Sequence, residues 1–151
     1  MADPQQLELL IREIDRQGGT KNYSAPSPLV SLGLFFEGND VVGSICANIM
    51  EKEMEAVGGL PGIYRLFTRI KQREGVQDVL VPIYAYDEDE GWPSADSIIV
   101  ICRQKQDEVE GWVDVIRPTE TGDITAEWDK HRTNAAPNLG KGMHAYLLWW
   151  D

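Results

Sequence analysis

The stretch 143–150 limits the fold most sharply, because both of its period-two faces are apolar or aromatic. Met143, Ala145, Leu147 and Trp149 fall on one face, and His144, Tyr146, Leu148 and Trp150 on the other. Successive side chains of a strand point to opposite faces, so the pattern predicts a strand covered on both. At 151 residues the chain has the length of one ordinary core, and 1–151 reads as a single domain.

Asp3 followed by Pro4 predicts a capped helix start, with Leu7, Leu10, Ile11 and Ile14 on one face until Gly18 and Gly19 end it. Residues 20–28 have loop composition. The apolar runs 29–36 and 41–49, separated by Gly38-Asn39-Asp40, predict a hairpin, while 50–57 fits either a short helix or the end of the second strand. After Gly58-Gly59, the stripe Ile63, Leu66, Phe67, Ile70 predicts a second helix ending near Gly75. Residues 76–86 read as a strand whose Pro82 cannot donate to a ladder, so it should lie at an edge or carry a bulge. A loop over 87–94, a strand over 97–102 and a third helix with Val109, Trp112, Val113 and Ile116 inward come next. Residues 118–142 are turn-rich and predict a long irregular wrap. Short connections between adjacent strands favour antiparallel neighbours. The expected class is α+β, a single mainly antiparallel sheet of about five strands with about three helices packed on it.

Charge is distributed unevenly. The chain holds 14 Lys and Arg against 25 Asp and Glu, a net charge of −11. Residues 76–129 carry 14 of the acids and three bases, so the whole surplus belongs to that segment. Such a balance speaks against direct nucleic-acid binding and against anionic membrane surfaces. It is compatible with a solvated acidic half that aids solubility, or with a surface complementary to a basic partner. Asp87, Glu88, Asp89 and Glu90 directly precede Gly91 and Trp92. Clustered charge steers association and an adjacent Trp supplies a desolvated anchor; the same Trp could instead plug the core. Asp107, Glu108 and Glu110 extend the candidate partner-binding set. Arg65, Arg69 and Arg73 lie at i, i+4, i+8 and read as a solvated basic face.

Enzymatic signatures are sparse. His131 and His144 are the two histidines, neither with a nucleophile or carboxylate at a recognised spacing, and an enzyme using one of them is an alternative reading. Gly58-Gly59-Leu60-Pro61-Gly62 lacks the Lys and Ser or Thr of a phosphate loop. Asp87-x-Asp89 places Gly91 and Ile98 where a calcium loop needs ligands. No metal and no cofactor are expected. Cys46 and Cys102 sit in apolar surroundings and read as buried free thiols, a cross-strand pair being the alternative. The first residues lack a secretory pattern and no apolar run reaches membrane-helix length, so a cytoplasmic protein without membrane association is expected.

Three segments together resemble a known group: Leu34-Phe35-Phe36-Glu37-Gly38-Asn39-Asp40 with Gly43-Ser44; Trp92-Pro93-Ser94-Ala95-Asp96; and Tyr146-Leu147-Leu148-Trp149-Trp150-Asp151. The chain resembles small acidic bacterial immunity proteins, encoded beside polymorphic or contact-dependent toxins. The resemblance implies a non-enzymatic protein that neutralises a cognate toxin by occluding its basic cleft. An acidic nucleic-acid mimic, inhibiting several basic proteins, is a further alternative. Trp149 and Trp150 at an exposed edge would favour a homodimer.

Overall fold

The fold is taken from a computed structural model, which describes residues 2–22, 25–46, 49–131 and 136–151, with the side chains of Cys46, Lys130 and His131 outside the description. Helix α1 (Pro4–Arg16) starts where expected: the Asp3 carboxylate accepts from Gln5 N at 2.9 Å and Gln6 N at 3.4 Å, satisfying N–H groups left orphaned in a first turn. Leu10 and Ile14 are its buried residues.

The expected hairpin does not form. Strand β1 is confined to Leu29–Ser31, and helix α2 (Leu32–Phe36) follows at once. Ser31 Oγ caps α2 by accepting from Leu34 N at 3.2 Å. Leu32, Phe35 and Phe36, spaced i, i+3, i+4, are the buried residues of this helix, so the apolar run obeys the helical period rather than the strand period. The second half of the supposed hairpin contains helix α3 (Gly43–Cys46). Helix α4 (Glu51–Val57) resolves the ambiguous segment and ends at Gly58, φ +92°, where α5 (Gly59–Lys71) begins. α5 buries Leu60, Gly62, Ile63, Phe67 and Ile70, the stripe read from the sequence.

The remaining strands are β2 (Val76–Pro82), β3 (Ser97–Cys102), β4 (Glu120–Asp123) and β5 (His144–Trp149), with α6 (Gln106–Trp112) after β3 and α7 (Trp128–His131) after β4. They form one antiparallel sheet in the order β1-β2-β3-β5-β4. The α+β class with a five-stranded antiparallel sheet is therefore observed. β2 is not an edge. Its pairing with β3 stops at Leu80 opposite Ile99, before Pro82, and the register shift lies between Val76 and Asp78. Proline thus ends the strand where no ladder donor is required. Within 118–142, expected to be irregular, β4 pairs with β5 from Glu120↔Trp149 to Asp123↔Tyr146. An edge strand can rest on backbone pairing alone, so its polar residues gave no apolar signal.

β5 is covered on both faces. Tyr146 and Leu148 join Val79, Val81, Ile98 and Val100 in the larger core, packed under α1, α2, α5 and α6. Ala145 joins Leu80, Ile99, Ile101, Ile124 and Trp128 in a smaller one, with Met143 and Leu147 packed against it. β5 lies between β3 and β4, which corrects the expectation that Trp149 and Trp150 stand at an exposed edge. Trp150 is buried with Nε1 donating to Ile116 O at 2.9 Å, and Trp149 Nε1 donates to Asp96 Oδ2 at 3.3 Å. A homodimer would need another surface. Cys102 is buried and free, with burial pushing its thiol pKa up.

Candidate partner-binding surface

Beyond Pro82 the chain leaves the sheet and returns through a bridge between Ala85 and Ser94, where Ser94 N donates to Ala85 O at 2.7 Å and Tyr84 N to Ser94 O at 3.0 Å. The residues between form a closed loop. Asp87 Oδ1 accepts from Asp89 N at 3.1 Å, a 3₁₀ turn runs over Glu88–Glu90, and Gly91 takes φ +82° to leave it. That left-handed conformation is readily available to glycine. Asp87, Glu88, Asp89 and Glu90 are all exposed.

Trp92 is not. It is fully buried and its Nε1 donates to Phe35 O at 3.0 Å. This corrects its assignment as a partner anchor: the indole holds the acidic turn from beneath. Phe35 O lies at the C-terminal end of α2, where carbonyls lack helical partners, and it also accepts from Asn39 Nδ2 at 3.3 Å. Asn39 Nδ2 further donates to the buried Ser44 Oγ at 2.9 Å, while Ala95 N donates to Ser44 O at 2.7 Å. At the other end of the segment, Trp150 N donates to Asp96 O at 3.0 Å. The three sequence segments around Phe35, Trp92 and Trp150 are thereby one hydrogen-bonded belt inside the core.

The acidic turn faces the C-terminal end of α1 across an open groove of about 800 Å³. Its walls carry Asp15, Asp87, Glu88 and Asp89, with Lys21 as the one basic side chain lining it among the described residues, and Ile11, Ile14 and Tyr86 supply apolar surface. The negative end of the α1 dipole points the same way. Burial, reinforced by Glu88 and then Asp87, raises the Tyr86 hydroxyl pKa above its ordinary value. A groove of this character favours cationic side chains.

Asp107, Glu108 and Glu110 stand elsewhere. They lie exposed on α6, which follows the C-terminal end of β3, whereas the acidic turn precedes its N-terminal end. Six residues of strand span about 20 Å, so the two groups occupy opposite ends of the sheet and do not form the single surface expected. Glu108 borders a separate cavity of about 430 Å³ with Arg73, Arg103 and Trp112, and Glu110 Oε1 accepts from Gln106 Nε2 at 3.0 Å. Asp15, Lys21 and Tyr86 were missed by sequence reasoning. Only Tyr86, beside the acidic run, carried a local signal; α1 reaches the groove through tertiary packing.

Of the two histidines, His131 has its side chain outside the described residues. His144 opens β5 opposite Cys102, half-buried, with its ring 5.8 Å from that of Tyr146. It lines none of the cavities described here. Among the described residues, no three His, Cys, Asp or Glu side chains gather in a way that could hold a metal ion, and no helix is long and apolar enough to cross a membrane.

Residues 5–148 match the model of the uncharacterized protein YfbO family. The chain belongs to this family. It is 36% identical over 146 residues to uncharacterized protein YfbO of Escherichia coli (strain K12), covering 96% of this chain and 98% of that protein. No solved structure matches. The YfbO match runs from the second residue of α1 into β5, so it covers the groove and the belt as far as Leu148, short of Trp150.

Proposed function

We propose that the protein is a non-enzymatic binding protein that neutralises a basic protein partner, of the kind presented by a bacterial toxin domain, through the groove between α1 and the acidic turn. The observation that carries the reading is the convergence of Asp15 from one element with Asp87, Glu88 and Asp89 from another, over apolar surface from Ile11, Ile14 and Tyr86. Charge at the rim accelerates encounter, and a concave wall with apolar area supplies contacts that persist once water is excluded. Glu90 is held back toward the fold by Ser94 Oγ at 3.2 Å, so Asp87, Glu88 and Asp89 carry most of the contact. Asp107, Glu108 and Glu110 act at a distance, adding to the field that steers a cation inward.

The test compares capture of a basic partner by the native protein, by D87K/E88K/D89K/E90K, by D15K and by D107K/E108K/E110K, after thermal melts have established that each is folded. The reading requires one partner, retained at about 0.3 M salt and inhibited in its own activity when bound. Capture should be lost with the first variant, weakened with D15K, and slowed mainly in association rate with the third. Equal capture by all four proteins would overturn the site. Many weakly held basic proteins eluting together would favour the nucleic-acid mimic instead.

A further inference from the structure

The outer face of α5 holds an anomaly for so acidic a chain. Among the described arginines, Arg12 pairs with Glu8 at 2.6 Å, Arg16 with Glu13 at 2.5 Å, Arg103 with Glu74 at 4.0 Å and Arg117 with Glu53 at 3.6 Å. Arg73 stacks over the Trp112 ring, 4.6 Å from its centroid. Arg65 and Arg69 are exposed and have no carboxylate within ion-pair distance among the described residues. They lie four residues apart on one helix, where like charges repel and weaken the helix. In a protein with 25 acids and 14 bases, an uncompensated pair of this kind opposes stability unless something else neutralises it.

Among the described residues, Arg65 and Arg69 border a hollow of about 360 Å³ that Tyr64 and Thr68 also line. No acidic side chain of the described residues lines it. Thr68 lies between the arginines in sequence, about one turn beyond Arg65 and directly before Arg69. Tyr64 forms a rigid side: its ring stacks on Phe36, centroids 5.3 Å apart and nearly parallel, and its hydroxyl donates to Glu37 Oε1 at 3.2 Å. That hydrogen bond commits the tyrosine proton to Glu37, leaving the ring as an apolar wall. A Cβ added at Gly58 would lie 3.4 Å from Arg65 Nη2, so Arg65 packs back against the turn where α4 meets α5.

The geometry points to a binding site on α5 for a phosphate monoester, bridged by Arg65 and Arg69 with the Thr68 hydroxyl donating a third hydrogen bond and Tyr64 flanking the organic part. A carboxylate presents two coplanar oxygens and is satisfied by a single guanidinium fork. A tetrahedral phosphate presents three terminal oxygens and close to two negative charges near neutral pH, enough for two forks and a hydroxyl at once. The hollow is also larger than an inorganic ion requires and falls at the low end of small-ligand pocket volumes. The ligand is either a free small phosphate monoester or a phosphorylated side chain of another protein. This site is independent of the acidic groove, and either can fail without the other.

The test is a titration of the ¹⁵N-labelled full chain followed through the arginine Nε–Hε resonances, with sodium chloride as the ionic-strength control. The probes are inorganic phosphate, phenyl phosphate, and a phosphoserine peptide beside its unphosphorylated form. The expected result is saturable shifts of Arg65 and Arg69 with Arg12 and Arg16 unmoved, phenyl phosphate binding more tightly than inorganic phosphate, and at least a tenfold loss of affinity in R69A. R69K, which keeps the charge and loses the fork, should also bind several-fold more weakly. A phosphopeptide tenfold tighter than phenyl phosphate would identify a protein side chain as the source; the reverse order would identify a small molecule. Shifts that grow linearly and equally at all arginines, or affinity unchanged in both R65A and R69A, would overturn the site. These side chains are exposed, and melting temperatures within about 2 °C of the native protein serve as the folding check, because surface substitutions usually change stability little.

Discussion

Replacing Trp92 separates its role as a structural plug from the anchoring role its position beside four carboxylates suggests. In W92A the buried indole is removed from contact with the core around Phe35 and Ile83, and large-to-small aromatic replacements of this type cost about 3–5 kcal/mol. For a domain near 150 residues each kcal/mol lowers the melting temperature by about 2–4 °C, so W92A should melt roughly 6–20 °C below the native protein. W92F isolates the hydrogen bond. Removing a donor from a buried acceptor costs about 1–3 kcal/mol, but Phe35 O keeps its bond from Asn39 Nδ2, which places W92F near the lower end. Urea unfolding followed by far-ultraviolet circular dichroism measures both differences. Under conditions where W92F is fully folded, its affinity for a partner of the acidic groove should equal that of the native protein. A W92A penalty below about 1 kcal/mol, or a folded W92F that binds tenfold more weakly, would refute the plug assignment.

Two further outcomes follow from local geometry. A methyl group at Gly62 would collide with the Val57 carbonyl where α4 turns into α5; overpacking typically costs about 1–3 kcal/mol, and a clash with backbone falls at the upper end, so G62A should lower the urea midpoint sharply, whereas G111A, where a Cβ meets nothing within 4 Å, should not. The Tyr86 hydroxyl titrates above its ordinary value because of burial first, then Glu88 and Asp87. Since the folded state favours the protonated phenol, this contribution to stability is complete below the unfolded pKa near 10 and disappears as pH rises through the folded value. The tyrosinate absorbance difference between the native protein and Y86F should report that raised pKa, and D87N/E88Q should move it part of the way back toward 10. No movement would mean the acidic turn does not face Tyr86.

Local pattern accounts for α1, α5, β3 and β5, because each announces itself within a few residues: a cap at Asp3, a 3.6-residue stripe through Ile63, Phe67 and Ile70, and apolar side chains on both faces of β5. The same pattern could not divide 29–36 into β1 and α2, since a continuous apolar run satisfies either period until the Ser31 cap and the seating of Phe35 against Trp92 select one. β4 escaped for the opposite reason: Glu120–Asp123 contributes backbone hydrogen bonds to β5 and little apolar area, and such bonds leave no mark on side-chain periodicity. The charge excess of residues 76–129 was countable from composition, but its geometry was not. β3 carries the chain across the sheet between the acidic turn and α6, separating acids that are neighbours in sequence, while the packing of α1 brings Asp15 and the turn together across some 70 residues. Sequence specifies which segments must hide a face; which segments then meet depends on non-local pairing, because contacts distant in the chain form only when the strand order β1-β2-β3-β5-β4 closes.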